Sequence, residues 1–129
     1  MDDPALHWMA LAFEEAEAAA AADEVPVGAV LVGGDGRLLA RAHNRVEALA
    51  DPTAHAEMLV IREAAGKLGQ KRLPDAELYV TLEPCPMCAQ AIAFARLRHL
   101  HFGAHDPKGG GWSTARGSSS SRPATTAWG

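Results

Sequence analysis

Leu78-Tyr79-Val80-Thr81-Leu82-Glu83-Pro84-Cys85-Pro86-Met87-Cys88 changes character halfway along. Residues 77–82 form a short run of apolar and strand-favouring types and read as a central strand. Pro84 or Pro86 then opens a helix, because proline suits a first helical position. A strand that runs into a helix through a thiol pair predicts an α/β architecture with chemistry at the junction. Cys85 and Cys88 lie one turn apart and can point the same way.

Thirty residues before Cys85, His55-Ala56-Glu57 falls at another predicted helix start. Zinc takes nitrogen and sulfur ligands in a tetrahedron, and a catalytic site keeps one position open for water. His55, Cys85 and Cys88 supply three ligands, and Glu57 is left free to move protons. The helix N-termini and the metal itself are expected to favour thiolates. Two thiolates and a neutral imidazole balance the charge of Zn²⁺, so its water is less acidified than under three histidines. A nearby base is therefore needed, and Glu57 is the obvious one.

Two other readings of these residues stay open. A Cys-x-x-Cys pair can be a redox couple in a thioredoxin-like fold. A structural zinc would want a fourth protein ligand, for which His43, His99, His101 and His105 are the candidates. None of these is paired in a usual zinc-finger spacing.

Outward from the motif, residues 4–22 read as a helix capped by Asp3, with Pro4 in its first position. Leu6, Met9, Phe13, Ala16 and Ala20 form its expected core stripe. Residues 27–32 read as a buried strand. Gly33-Gly34-Asp35-Gly36 then turns the chain into a second strand over 37–42. That glycine cluster lacks the Lys-Ser/Thr of a phosphate loop and opens no helix. Residues 45–53 read as a loop closing on Asp51-Pro52-Thr53. A helix follows over about 55–67, with Met58, Leu59, Ile61 and Ala65 as its expected buried side and Gly66 and Gly69 marking its end. The third helix carries Met87, Ala91, Ile92 and Phe94, and residues 99–102 read as a last strand before Gly103. Strands separated by helices predict a largely parallel sheet after the first hairpin.

The chain has 129 residues, 48% hydrophobic and 22% charged, which fits one globular domain. No apolar run is long enough to span a bilayer. Met1-Asp2-Asp3-Pro4 lacks the basic start of a secretory signal, which favours the cytoplasm. Both cysteines lie in the motif, which in a reducing compartment points to metal or redox work rather than a structural disulfide. The net charge of −4 argues weakly against a nucleic-acid partner. Residues 1–24, however, hold seven acids and no Lys or Arg, which leaves residues 25–129 at +3. Lys67, Lys71, Arg72, Arg96, Arg98 and Lys108 are candidate basic contacts, or else plain solvated charges.

His-x-Glu followed by Pro-Cys-x-x-Cys is the signature by which zinc nucleobase deaminases are recognised. More of the chain follows suit. Asp51-Pro52-Thr53-Ala54-His55-Ala56-Glu57 and residues 78–89 closely resemble the bacterial tRNA adenosine deaminases, within the cytidine deaminase-like superfamily. Glu24-Val25-Pro26-Val27-Gly28-Ala29-Val30 and Phe102-Gly103-Ala104-His105-Asp106-Pro107-Lys108-Gly109-Gly110 resemble the same family. The resemblance covers nearly all of residues 4–111. It implies a three-layer α/β/α fold with a mixed central sheet, one zinc per chain, and a homodimer with active sites near the subunit interface. It implies hydrolytic conversion of adenosine to inosine in the anticodon loop of a tRNA, at the wobble position. Glu57 would take a proton from the attacking water, pass it to N1 of adenine, and then protonate the departing amino group. Carried over by position, Asn44 contacts the target nucleotide and Val27 packs on the flipped base. The Ala56 backbone meets the reacting edge, and Asp106 lies by the sugar-phosphate backbone. A basic rim of Lys67, Arg96 and Lys108 is expected to hold the RNA.

Residues 1–111 are thus expected to form the deaminase domain. Residues 112–129 are a low-complexity tail, expected to be disordered, where the family continues into a helix that packs on the sheet. Trp112-Ser113-Thr114-Ala115-Arg116 is what a one-base shift makes of codons for a plausible family continuation, so a changed reading frame is the expected origin. Two alternative functions remain at this point. One is a deaminase of free nucleosides or bases such as cytidine, dCMP or guanine. The other is a catalytically idle zinc-stabilised binding subunit, which would have no need of Glu57.

Overall fold

A computed structural model describes residues 4–104. The elements run α1 (Pro4–Ala21), β1 (Gly28–Val32), β2 (Leu38–His43), α2 (Val46–Leu49), α3 (Ala56–Leu68), β3 (Glu77–Val80), α4 (Pro86–Ala95) and β4 (His99–Phe102). The sheet order is β2-β1-β3-β4. β1 pairs antiparallel with both β2 and β3, and β3 pairs parallel with β4. The sheet is therefore mixed. Its parallel part is the β3–β4 pair, joined by α4 as a crossover.

Alternation along β1 sorts the layers. Ala29 and Leu31 face one core with Ala56, Val60 and Ala64 of α3 and Ala89 and Ile92 of α4. Val30 and Val32 face the other, with Ala12 of α1 and Tyr79 of β3. Helices thus cover both faces, as the expected α/β/α fold requires. The hairpin turn forms where Asp35-Gly36 predicts it. Gly36 has φ +83°, and Asp35 Oδ1 accepts from the Arg37 N–H at 3.0 Å. Among the described residues no helix is long and apolar enough to cross a membrane.

Three expectations are corrected. The stripe on α1 is rotated: Leu6 and Phe13 are 69% and 50% exposed, and the buried residues are Ala12, Ala16 and Ala19. The cause is a close approach to β1. A Cβ on Gly28 would overlap the Ala12 carbonyl and the Ala16 amide, so only small residues fit that contact. On α3 the fully buried line is Ala56, Glu57, Val60 and Ala64, while Met58, Leu59, Ile61 and Ala65 are half-buried. The inward Glu57 carries the buried face with it. Within the expected loop over 45–53, Val46–Leu49 forms α2, because the Glu24 carboxylate accepts from the Glu47 and Ala48 N–H groups at 3.0 and 2.8 Å. That cap comes from a distant residue and leaves no local periodic signal. Asp3, His105, Asp106, Lys108 and the tail over 112–129 lie outside the described residues.

Candidate metal and catalytic site

His55 and Cys85 occupy equivalent places, as the N-cap residues of α3 and α4. An N-cap has extended backbone geometry and usually turns a side-chain oxygen back onto the helix. Here the geometry is extended (ψ 153° and 171°), but neither side chain makes a capping bond. Both project ahead of their helices instead. The turn before His55 is fixed locally: Asp51 Oδ1 accepts from the Thr53 N–H at 2.8 Å and from its hydroxyl at 2.7 Å. Cys88 follows Cys85 by one turn and is fully buried.

These placements bring the three donors together. His55 Nδ1 lies 3.6 Å from Cys85 Sγ and 3.5 Å from Cys88 Sγ. Bonds of ~2.3 Å to sulfur and ~2.05 Å to nitrogen, set at the tetrahedral angle, separate the donors by about 3.6 Å. The trio therefore fits a tetrahedral zinc ion. The chemistry of the set agrees. Burial pushes the Cys88 thiol well up, and the Glu57 and Cys85 charges add to this. The helix N-terminus alone does not make the expected thiolate, and a bound cation is what would release that proton.

Glu57 stands in the first turn of α3, 4% exposed. Its Oε1 has no hydrogen-bond partner. Burial raises its carboxyl to about 7, and its own backbone N–H and the Cys88 thiol only partly oppose this. An ordinary structural carboxylate is not left so, and a buried group near neutrality suits proton exchange.

A cavity of about 380 Å³ opens onto His55, Glu57 and Cys85. Its wall includes Val27, Asn44 and Leu82. Asn44 Oδ1 accepts from the Ala56 N–H at 2.8 Å, and the Asn44 N–H donates to the Val27 carbonyl at 3.1 Å. Asn44 thus ties β2, the β1 entry and the start of α3 into one corner. Ala56 is fully buried with its N–H engaged. Glu24 and Glu83, both buried, also line the cavity and were not singled out as site residues. Glu24 could have been found only as part of the Glu24-Val25-Pro26-Val27 stretch, and Glu83 as the acid just before Pro84.

Two members of the expected basic rim, Lys67 and Arg96, stand away from the cavity. Lys67 sits in the last turn of α3, paired with Glu63 at 2.9 Å, and Arg96 caps the far end of α4. The 13 residues of α3 span about 18 Å, so Lys67 lies a helix length from His55.

The family model for MafB19-like deaminases matches residues 3–121. A tRNA-specific adenosine deaminase of Agrobacterium fabrum is 64% identical over 104 residues, covering 81% of this chain and 68% of that protein. A structure from studies of A-to-I editing by tRNA:A34 deaminases at the wobble position superposes with a TM-score of 0.79 at 63% identity, covering 81% of this chain and 75% of that one. Guanine deaminase from Bacillus subtilis superposes at 0.71 with 35% identity, covering 91% and 70%.

Proposed function

The chain belongs to the bacterial tRNA-specific adenosine deaminases, and we propose on that footing that it converts adenosine to inosine at the wobble position of a tRNA. The observation that carries the reading is the buried Glu57 carboxyl, its Oε1 without a hydrogen-bond partner, beside the His55–Cys85–Cys88 trio at a cavity of about 380 Å³. That volume falls in the usual range for small-ligand sites and suits one base turned out of its stack.

Zinc, one ion held by His55, Cys85 and Cys88, would supply the Lewis acidity that makes water nucleophilic near neutral pH. Glu57 accepts a proton from the water that attacks C6 of adenine, and delivers it to N1. It then takes the second proton, from the new C6 hydroxyl, and passes it to the amino group, which leaves as ammonia, so an oxygen replaces nitrogen on the ring. A carboxyl near 7 can both take and return a proton under these conditions. Val27 packs on the base. Asn44, its Oδ1 engaged by Ala56, offers its amide nitrogen to the nucleotide. The Ala56 backbone is the proposed contact to the reacting edge of the base, and Asp106, outside the described residues, the proposed contact to the sugar-phosphate backbone.

An anticodon loop already presents its bases turned outward, which lowers the unstacking cost. A cytoplasmic location is part of this reading, and a tRNA substrate supports it. A homodimer through the metal-bearing helices is supported by Phe94, which stands on α4 with 69% exposure. Residues 1–111 are the proposed deaminase domain, and 112–129 a tail outside it.

The fold shared with a guanine deaminase makes a free base the competing substrate. The test compares inosine formation in an anticodon stem-loop of tRNA-Arg with ammonia release from free adenosine, cytidine and guanine. Faster turnover of the stem-loop supports the reading. Efficient turnover of guanine or cytidine with no inosine in RNA overturns it.

A further inference from the structure

We propose that Glu77, His99 and His101 form a second metal site, distinct from the cavity, for a first-row divalent cation that takes imidazole and carboxylate ligands. Parallel pairing places Glu77 beside His99 and Tyr79 beside His101. Alternate residues of a strand share a face, so all four side chains lie on the α1 side of the sheet. β4 is the edge strand of the described sheet, and α1 packs on β1, β2 and β3 but not on β4 among the described residues. Among the described residues, the cluster therefore sits at a corner that no helix covers.

Its donors converge. Glu77 Oε1 lies 2.9 Å from His101 Nε2, and Glu77 Oε2 lies 3.7 Å from His99 Nδ1. One donor atom from each residue falls within 4.8 Å of the other two, as at His55, Cys85 and Cys88. Ligands of one ion at ~2.0–2.2 Å bonds stand about 3–3.5 Å apart, so small side-chain rotations close the set. His101 is held for the purpose. Its ring stacks on Tyr79 with centroids 4.3 Å apart and planes 4° from parallel, and the Tyr79 hydroxyl donates to Glu77 Oε1 at 3.4 Å. Such outer contacts are what orient metal ligands.

Access is graded as a site needs. The His101 side chain is 13% exposed and forms the floor, while those of His99 and Glu77 are 33% and 30% exposed at the mouth. Two nitrogens and one carboxylate with no thiolate select zinc, cobalt or nickel over calcium or magnesium. A cation there ties the edge strand to β3 and stabilises the folded chain by mass action.

The full chain is stripped with a chelator and titrated with Co²⁺, followed by absorbance. The first site announces itself by thiolate-to-cobalt charge transfer, and the second adds cobalt absorbance without it. The parent should take two equivalents. His99→Ala and His101→Ala should each weaken the second equivalent at least tenfold while the thiolate band persists, which also reports that the fold is intact. His99→Gln, at the exposed mouth, repeats the test should His101→Ala fail to fold. Cys88→Ala should lose the thiolate band and keep the other equivalent. Saturation of the parent at one equivalent, or an unchanged second equivalent in the His99 variants, overturns the proposal.

Discussion

Glu15 and Glu57 stand on opposite faces of one sheet, and their surroundings differ in kind. Glu15, on α1, meets Arg41 Nε at 2.6 Å and His43 Nδ1 at 3.0 Å, both from β2. Burial works against its charge, but the bonds from His43 and Arg41 hold its carboxyl below the ordinary 4.5. Glu57, on α3, is more deeply buried, has one oxygen without a partner, and is raised to about 7. A paired carboxylate stays charged across the working range and holds two elements together. An unpaired buried one sits where it can gain and lose a proton, at a cost in stability that packing elsewhere must offset. The α1 face is built for cohesion and the α3 end for chemistry.

The sharpest way to break this contrast is through the metal ligands. Cys88→Ala should abolish deamination and lower the metal content by one zinc per chain, the one held at His55, Cys85 and Cys88, read by elemental analysis. Glu57→Ala should keep metal and fold but slow inosine formation by at least ~10²–10⁴-fold, because one group serves several proton transfers. Retained turnover within a few-fold would end the proton-shuttle role.

The two carboxylates should also respond to pH with opposite sign. In metal-free protein, Glu57 has a folded value of about 7 against 4.5 unfolded. Its contribution is fully present below 4.5, falls as pH rises, and is lost above 7. Glu57→Gln should therefore stabilise the metal-free chain at pH 8 by up to ~3 kcal/mol, seen in urea unfolding. Glu15 runs the other way. Its contribution is present above 4.5 and lost as pH falls through its lowered folded value.

Asn44→Ala removes the acceptor for a buried N–H and should cost about 1–3 kcal/mol of stability, with activity reduced and zinc retained. The smallest effect belongs to Glu15→Gln. It should cost about 1 kcal/mol, flatten the acid limb of the stability profile, and leave kcat unchanged. A large loss of activity in that variant would mean that the two faces are coupled.

Much of this is legible in the sequence. Local rules located α1, the Asp35-Gly36 turn, β3, α4 and β4, because glycine, proline and strand-favouring side chains act on their own neighbours. Ligand chemistry named His55, Cys85, Cys88 and Glu57, because few residue types bind zinc and their order was distinctive. The rotated face of α1 was not readable. It depends on how closely a helix approaches Gly28, a residue distant in sequence. The same holds for α2, held by Glu24 from across a turn, and for Lys67 and Arg96, whose distance from the cavity follows from helix length and direction.

The sequence by itself determined the reaction class, since the identities of the ligands and the proton carrier are covalent facts. Only the tertiary structure decided that His55 Nδ1 and the two sulfurs lie one tetrahedral edge apart, that Glu57 is buried with one oxygen unpartnered, and that Glu77, His99 and His101 meet at the sheet edge. Those are distances and burials between residues far apart in the chain, set by how helices and strands pack rather than by any local pattern of side chains.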